Sequence, residues 1–374
     1  MHIMFTVIVR LIVTMFIGII LTPLVKLLSY QVGAVDNPGP RRINTKVMPT
    51  MGGLAIFLAF AFSTIFLFQD LIPRSFIFPL LLGGLAIVIT GIIDDIFELK
   101  PLPKTIGVVI GACIVYFIGD VRFDSLSLPM IGFIDLSWIS FPLTIIWILA
   151  ITNSLNLIDG LDGLASGVSI IALTTIGIIG YFFLTEPQIF VPITIFVLVA
   201  SIAGFFPYNF HPARIYLGDT GALFLGFMIS VLSLQNLKNA TLISLVTPMV
   251  IMGVPVTDTV FAIIRRHINK QKISSADKMH LHHRLLSLGF SHKGAVLTIY
   301  ALALIFSFIA LILSYNTSIW AVLLLVAAVA IGLELFVELI GLMGPNRQPL
   351  MCLFKFFGDK DYRTQLKEKW FSKK

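Results

Sequence analysis

Residues 141–184 read FPLTIIWILAITNSLNLIDGLDGLASGVSIIALTTIGIIGYFFL: two apolar runs with Asn153 to Gly163, NSLNLIDGLDG, between them. Each run approaches the roughly 20 residues that a helix needs to cross about 30 Å of hydrocarbon. The polar cluster thus falls where a spanning helix emerges from lipid, and its aspartates need a partner there. Apolar segments recur at about 3–28, 50–69, 76–93, 104–119, 141–155, 161–184, 189–206, 221–235, 240–264, 294–314 and 319–343. They predict an all-α polytopic membrane protein with about eleven transmembrane helices, the fifth and eighth short, and termini on opposite sides.

Composition agrees. The 374 residues are 57% hydrophobic and 12% charged, with a mean hydropathy of +0.99, too little polar surface to cover a soluble globule. The first apolar run is too long for a signal sequence and lacks a small-residue cleavage site, so it counts as a span. Cys113 and Cys352 form neither a disulfide framework nor a cysteine metal site. No period of 20 to 50 residues is evident, which argues against a solenoid or a repeat-built transporter.

Loop charge sets the orientation. Lys26, Arg41, Arg42, Lys46, Lys100, Lys104, Arg214, seven residues between Arg265 and Lys293, and eight from Arg347 onward fall on one side. Only Arg74, Arg122 and Lys238 fall opposite, and Arg10 lies inside the first span. The crowded side is expected to be cytoplasmic, with the N-terminus outside and the C-terminus cytoplasmic. The net charge of +7 then reads as a topology signal and a complement to anionic lipid, with no nucleic acid implied. Residues 1–344 form a single transmembrane domain and 345–374 a cytoplasmic basic tail, whose Phe354, Phe356, Phe357 and Trp370 suit an interface. Outside, Asp120 to Ser140 alternates apolar and polar residues and turns at Pro129 to Gly132, the pattern of a small hairpin.

With this topology Gly33–Gly53, Asp94–Lys104, Asn153–Gly163, Pro207–Gly221 and Arg265–Lys293 all face one compartment. Adjacent Asp94 and Asp95 repel, and a hard divalent cation or a shared proton would relieve them. Asp219, in HPARIYLGDTG, is either an N-cap or a Mg²⁺ ligand. Tyr216 suits base stacking or an interfacial belt. Asn153, Asn156, Asp159 and Asp162 recur every three residues, so on a helical turn they would share one side, while Gly160 and Gly163 permit a break. Such amides and carboxylates suit a base edge, a ribose or a metal. His280, His282, His283 and Arg284, in MHLHHRL, lack a fourth zinc ligand and better suit a phosphate. Lys46 and Lys104 stand at the lipid boundary, where a phosphate would lie. Asp258 lies in the ninth segment near Pro248, Gly253 and Pro255, which predict a broken helix; its own role is open.

PTMGG at 49–53, IDD at 93–95, NSLNLIDGLDGLASG at 153–167, HPARIYLGDTGAL at 211–223 and HLHHRL at 280–285 resemble, in this order, the polyprenyl-phosphate N-acetylhexosamine-1-phosphate transferases, the superfamily that includes MraY. The resemblance covers roughly residues 30 to 295, makes the 1–344 domain a catalytic one, and implies transfer from a UDP-N-acetylhexosamine to undecaprenyl phosphate with release of UMP, and a Mg²⁺ cofactor, with Mn²⁺ as a substitute. It implies Asp219 and Asn156 as metal ligands and Asp94 and Asp95 as the catalytic pair. Asn153, Asp162, Asn209 and Tyr216 match positions around the uridine. Lys104, His280, His282, His283 and Arg284 match phosphate and sugar positions, Lys46 is a further phosphate candidate from its place at the lipid boundary, and Asp159 and Asp258 have no firm role. HLHHR resembles the GlcNAc-1-phosphate branch that initiates teichoic acid or O-antigen synthesis, so the muramyl-pentapeptide reaction is the alternative. The setting implied is a bacterial inner membrane with a cytoplasmic site, and a homodimer is admitted. A cation or lipid-phosphate transporter, the alternative of another class, would place its carboxylates near the bilayer midplane on broken helices.

Overall fold

The computed structural model describes residues 2–38, 46–128, 132–183, 188–235, 239–271, 279–315 and 319–341. Its helices, in order, are α1 (His2–Val32), α2 (Gly52–Phe62), α3 (Arg74–Phe97), α4 (Pro101–Phe117), α5 (Ser140–Ile158), α6 (Leu164–Phe182), α7 (Phe190–Asn209), α8 (Gly218–Gln235), α9 (Leu242–Ile251), α10 (Gly253–Ile268), α11 (Leu281–Ser287), α12 (His292–Tyr315) and α13 (Ile319–Ile340). Every apolar segment read from the sequence falls on helix. Seven of these helices, α1, α3, α5, α6, α7, α8 and α12, are long and apolar enough to cross a membrane. Gly52–Leu67, where a π turn extends α2, and Pro101–Phe117 are shorter apolar helices. The protein is an all-α multi-pass membrane protein.

The helices sort by what they face. α1 leaves most of its surface uncovered, as a lipid-facing helix should. Every residue of α8 from Thr220 to Gln235 is buried, with α2, α3, α5 and α6 packed around it. Protein replaces lipid on all its sides, which explains why the mean hydropathy of this helix, 1.3, is the lowest among the seven. The two short segments are longer than expected. α5 continues through Asn153 and Asn156, and α8 begins at Gly218, so motif residues form the helix ends themselves. Asp94 and Asp95 likewise belong to the last turn of α3.

The ninth segment is broken, as its prolines and glycine imply. α9 and α10 meet at Met252, with Pro248 inside α9 and Pro255 in the first turn of α10, where a missing N–H does little harm. At the opposite end from the motifs, β1 (Ser125–Leu128) and β2 (Gly132–Asp135) form the expected antiparallel hairpin. A further strand, β3 (Asn239–Thr241), adds to β1 in parallel, a pairing between distant segments that no local pattern announces. Pro129 of the expected turn, Lys238 and the 345–374 tail with its aromatics lie outside the described residues. Arg10, expected inside a span, pairs with Asp70 at 2.6 Å and stands 5.8 Å from the Phe68 ring centre. This pairing holds the Asp70 carboxyl below its usual range.

Candidate active site

All five motif loops meet in one open cavity of about 500 Å³. Asp36 and Thr50 come from the first loop, Asp94, Asp95, Glu98 and Lys104 from the second, and Asp159 to Asp162 from the third. Asn209 and Tyr216 to Asp219 come from the fourth, His283 and His292 from the last. The convergence expected from topology is therefore a feature of the fold.

The PTMGG segment positions one wall by backbone bonds alone. Tyr216 N–H donates to Pro49 at 2.9 Å, and Gly52 and Gly53 donate to Tyr216 and Leu217 at 3.0 Å each. These bonds seat the segment that carries Tyr216 and Asp219. Burial, with Asp162 and Asp36 nearby, pushes the Tyr216 phenol up to about 12, so it stays protonated.

At the centre, Lys104 Nζ lies 2.5 Å from Asp94 Oδ2 and 2.5 Å from Asp219 Oδ2. Asn156 Nδ2 reaches Asp219 Oδ1 at 2.5 Å, and Asp94 Oδ1 accepts the N–H of Leu99 at 2.7 Å. The adjacent aspartates thus have different surroundings. Asp95 accepts Asp219 N–H at 3.0 Å, Thr220 N–H at 3.2 Å and the Thr220 hydroxyl at 2.6 Å. It caps the start of α8 from another helix, satisfying donors that a helix end leaves free. Gly218, at φ +72, leaves room for that carboxylate.

Asn153, Asn156, Asp159 and Asp162 do not share one side. α5 ends at Ile158, and the chain turns through Gly160 and Gly163, so the three-residue spacing loses its helical meaning. Asn153 is exposed, its amide turned back to Leu149 at 2.9 Å, and it does not line the cavity. Asp159 does. Loss of water, then the charges of Asp219, Asp95 and Asp162, raise its carboxyl well above the usual range. Asn209 lines the cavity but is buried, with Ser166 Oγ donating to its oxygen at 2.7 Å and its Nδ2 bonded to Ile215 O at 3.2 Å.

The HLHHR segment divides similarly. Asp258 accepts His280 Nδ1 at 2.9 Å and the N–H of Leu281 at 2.9 Å. Both bonds hold the start of α11, which gives Asp258 a structural position. His282 is buried against Gly160, where a Cβ would strike its ring. Burial, then His283, His280 and His292, push this imidazole down to about 3. Only His283 of this segment lines the cavity. Arg284 is directed to Gly341 just beyond α13, within 2.8 Å of where a Cβ there would stand. Lys46 is exposed and outside the lining.

His211 and His292, neither expected as site residues, hold Asp162. His211 Nδ1 stands 2.8 Å from Asp162 Oδ2, and the Asp162 N–H donates to His292 Nε2 at 3.0 Å. Three ligand-type atoms of this group lie within 4.8 Å of one another. The imidazoles are stacked, however, 4.2 Å apart and inclined by 19°. Lone pairs lie in the ring planes, and planes so nearly parallel do not converge on a shared ion. A hard cation fits better at the centre, where Asp94 and Asp219 present carboxylate oxygens to one positive charge, now the Lys104 ammonium, with the Asn156 amide alongside.

A site of carboxylates and one lysine at the ends of membrane helices defines a membrane-embedded enzyme. The sequence profile of glycosyl transferase family 4 matches residues 77–236. The chain is 40% identical, over 94% of its length and 97% of the relative's, to a Bacillus subtilis protein described as a probable undecaprenyl-phosphate N-acetylglucosaminyl 1-phosphate transferase. It is 35% identical, over 74% of each chain, to the decaprenyl-phosphate N-acetylglucosaminephosphotransferase of Mycolicibacterium smegmatis. It is also 30% identical, over 82% of its length and 96% of the relative's, to the phospho-N-acetylmuramoyl-pentapeptide-transferase of Halalkalibacterium halodurans. The chain belongs to glycosyl transferase family 4 and is a transferase of the phosphoglycosyl class.

Proposed function

We propose that this protein transfers N-acetylglucosamine-1-phosphate from UDP-N-acetylglucosamine to undecaprenyl phosphate, on the cytoplasmic face of a bacterial inner membrane. An oxygen of the lipid phosphate attacks the β-phosphorus of the nucleotide sugar. A new P–O bond forms as the bond to the bridging oxygen breaks, and UMP departs.

The observation that carries this reading is Lys104 between Asp94 and Asp219 in a cavity that all five loops line. Phosphoryl transfer asks a protein chiefly for positioning and charge neutralisation. Lys104 supplies positive charge where the two phosphates must meet. Asp94 stands beside it to accept a proton from the lipid phosphate or to orient it. Mg²⁺ or Mn²⁺, held by Asp219 and by the Asn156 amide through its oxygen, would neutralise the diphosphate and the departing UMP. Tyr216 and Asp162 suit the nucleoside end, and His283 the sugar diphosphate. The relatives named for N-acetylglucosamine favour that sugar, and the muramyl-pentapeptide reaction is the second reading. A transporter loses its one support, because Asp258 in the broken helix is engaged by His280 and Leu281.

The test is purified protein with Mg²⁺, polyprenyl phosphate and a panel of UDP-sugars, reading UMP release and the mass of the lipid product. A diphosphate-linked N-acetylglucosamine lipid is expected, with Asp219→Ala and Asp94→Asn strongly impaired. Near wild-type rates in both variants would overturn the site assignment, and a muramyl-pentapeptide product would overturn the sugar.

A further inference from the structure

We propose that His211 and His292 are positioning residues for the nucleobase: stacked on one another, they fix Asp162 so that its second carboxylate oxygen meets an N–H donor of the base. The proposal rests on the uridine-nucleotide reading above.

Asp162 stands in a short loop between Gly160 and Gly163, and that loop does little to hold it. The restraint comes from two other elements. His211, just after α7, places Nδ1 2.8 Å from Asp162 Oδ2, and Ala213 N–H donates to the same oxygen at 3.1 Å. His292, the first residue of α12, accepts the Asp162 N–H on Nε2 at 3.0 Å, so the ring of a neutral His292 carries its proton on Nδ1. Side chain and backbone are thus each held, by two different elements. The stacked rings, 4.2 Å between centres, restrict each other's rotation. Eight residues further along α12, the Tyr300 hydroxyl donates to the carbonyl of Gly163, so one helix ties the loop beside Asp162 and at it.

Both donors to the carboxylate go to Oδ2. Among the described residues no donor reaches Oδ1, although Asp162 lines the cavity. A carboxylate only accepts, so its partner must carry an N–H or an O–H, and on the base itself that donor is an N–H. Uracil has one at N3, flanked by carbonyls, whereas cytosine presents a bare nitrogen there. Orientation of this oxygen would govern how tightly and how selectively the nucleotide binds. Chemistry at the β-phosphorus, centred on Lys104, would be affected much less.

The experiment compares His292→Leu, which removes the acceptor, with His292→Gln, which keeps one close to Nε2. KM for UDP-N-acetylglucosamine is expected to rise about tenfold in the leucine variant, as loss of one buried polar partner implies, with kcat down less than about threefold. Preference for UDP- over CDP-N-acetylglucosamine should fall, KM for the lipid should hold, and glutamine should recover most of the loss. His211→Leu and His211→Asn, whose Nδ2 mimics the imidazole N–H, form a second pair that reads the same point if His292→Leu does not fold. Unchanged KM in the leucine variants, or polar variants as impaired as the apolar ones, would overturn the proposal alone. A wild-type protein that turns over no UDP-sugar would instead overturn the reading beneath it.

Discussion

The carboxylate of Asp95 receives the backbone N–H of Asp219 at 3.0 Å, across 124 residues of sequence. It also takes both donors of Thr220, while its neighbour Asp94 meets Lys104. The two aspartates of one motif therefore have separate surroundings: Asp95 holds the helix that presents Asp219, and Asp94 faces the Lys104 ammonium in the cavity. Asp95→Ala is expected to lower stability by about 1–2 kcal/mol, as loss of a helix cap does, and the transfer rate by at least about 100-fold through Asp219. Asp94→Asn, whose amide oxygen still accepts the Leu99 N–H, should impair the rate with a smaller change in thermal midpoint. Unfolding and UMP release measured on both variants check this, and equal loss of stability would contradict the division.

Gly160 is where α11 meets the loop that carries Asp159 and Asp162. A methyl group there would strike the imidazole of His282, whose ring atom Cε1 would stand 2.7 Å away. Gly160→Ala should thus push α11 outward and draw His283 from the cavity, at a cost of roughly 1–3 kcal/mol typical of overpacking. Transfer should fall at least about tenfold while Gly289→Ala, near the end of the same segment with open space around it, serves as a comparison for packing. Its φ of +92 makes it a strained control, so activity rather than stability is the quantity compared.

His282 gives the fold a pH dependence. Its imidazole is held down to about 3 by burial, whereas an unfolded histidine titrates near 6.5. Between these values the unfolded chain binds a proton that the folded one does not. Stability is then fully present above about pH 6.5 and is lost as pH falls toward 3, by about 1.4 kcal/mol per unit for one such group. Thermal midpoints of detergent-solubilised protein from pH 7.5 to 5 should show this fall, and His282→Asn should show a shallower one. Parallel slopes for the two proteins would exclude His282 as the cause.

Much of this was legible in the sequence, and for physical reasons. Hydropathy located the helices because lipid demands long apolar segments, and Pro248, Gly253 and Pro255 located the break. The loop charges brought five motifs to one face, where the cavity lies. What pattern could not reveal was direction. Arg284 shares a helix with His283 but approaches Gly341 instead of the cavity, and Asn153 shares one with Asn156 yet turns back to Leu149. His292 stands in no recognisable motif, and its contact with Asp162 spans 130 residues. Such contacts depend on tertiary packing, to which spacing along the chain is blind.

Asp159 is the acidic residue whose cost to the fold is plainest. It lines the cavity with Asp94, Asp95, Asp162 and Asp219, and lost hydration and three of these neighbours raise its carboxyl well above the usual range. For a carboxyl displaced upward, the folded state gives up stability as pH climbs through the unfolded value near 3.9 and recovers none of it at neutrality. Asp159→Asn removes that charge while keeping shape and one acceptor, so it should raise the thermal midpoint at pH 7.5, by about 1 kcal/mol of stability. If Asp159 serves the fold alone, transfer should persist in the variant; if its charge helps to hold the cation and diphosphate, transfer should fall while stability rises. We expect the second outcome, at least about tenfold, because Asp159 lines the cavity beside Asp219. Thermal unfolding and UMP release on the same preparation decide it, and a lowered midpoint would show that the charge stabilises the fold.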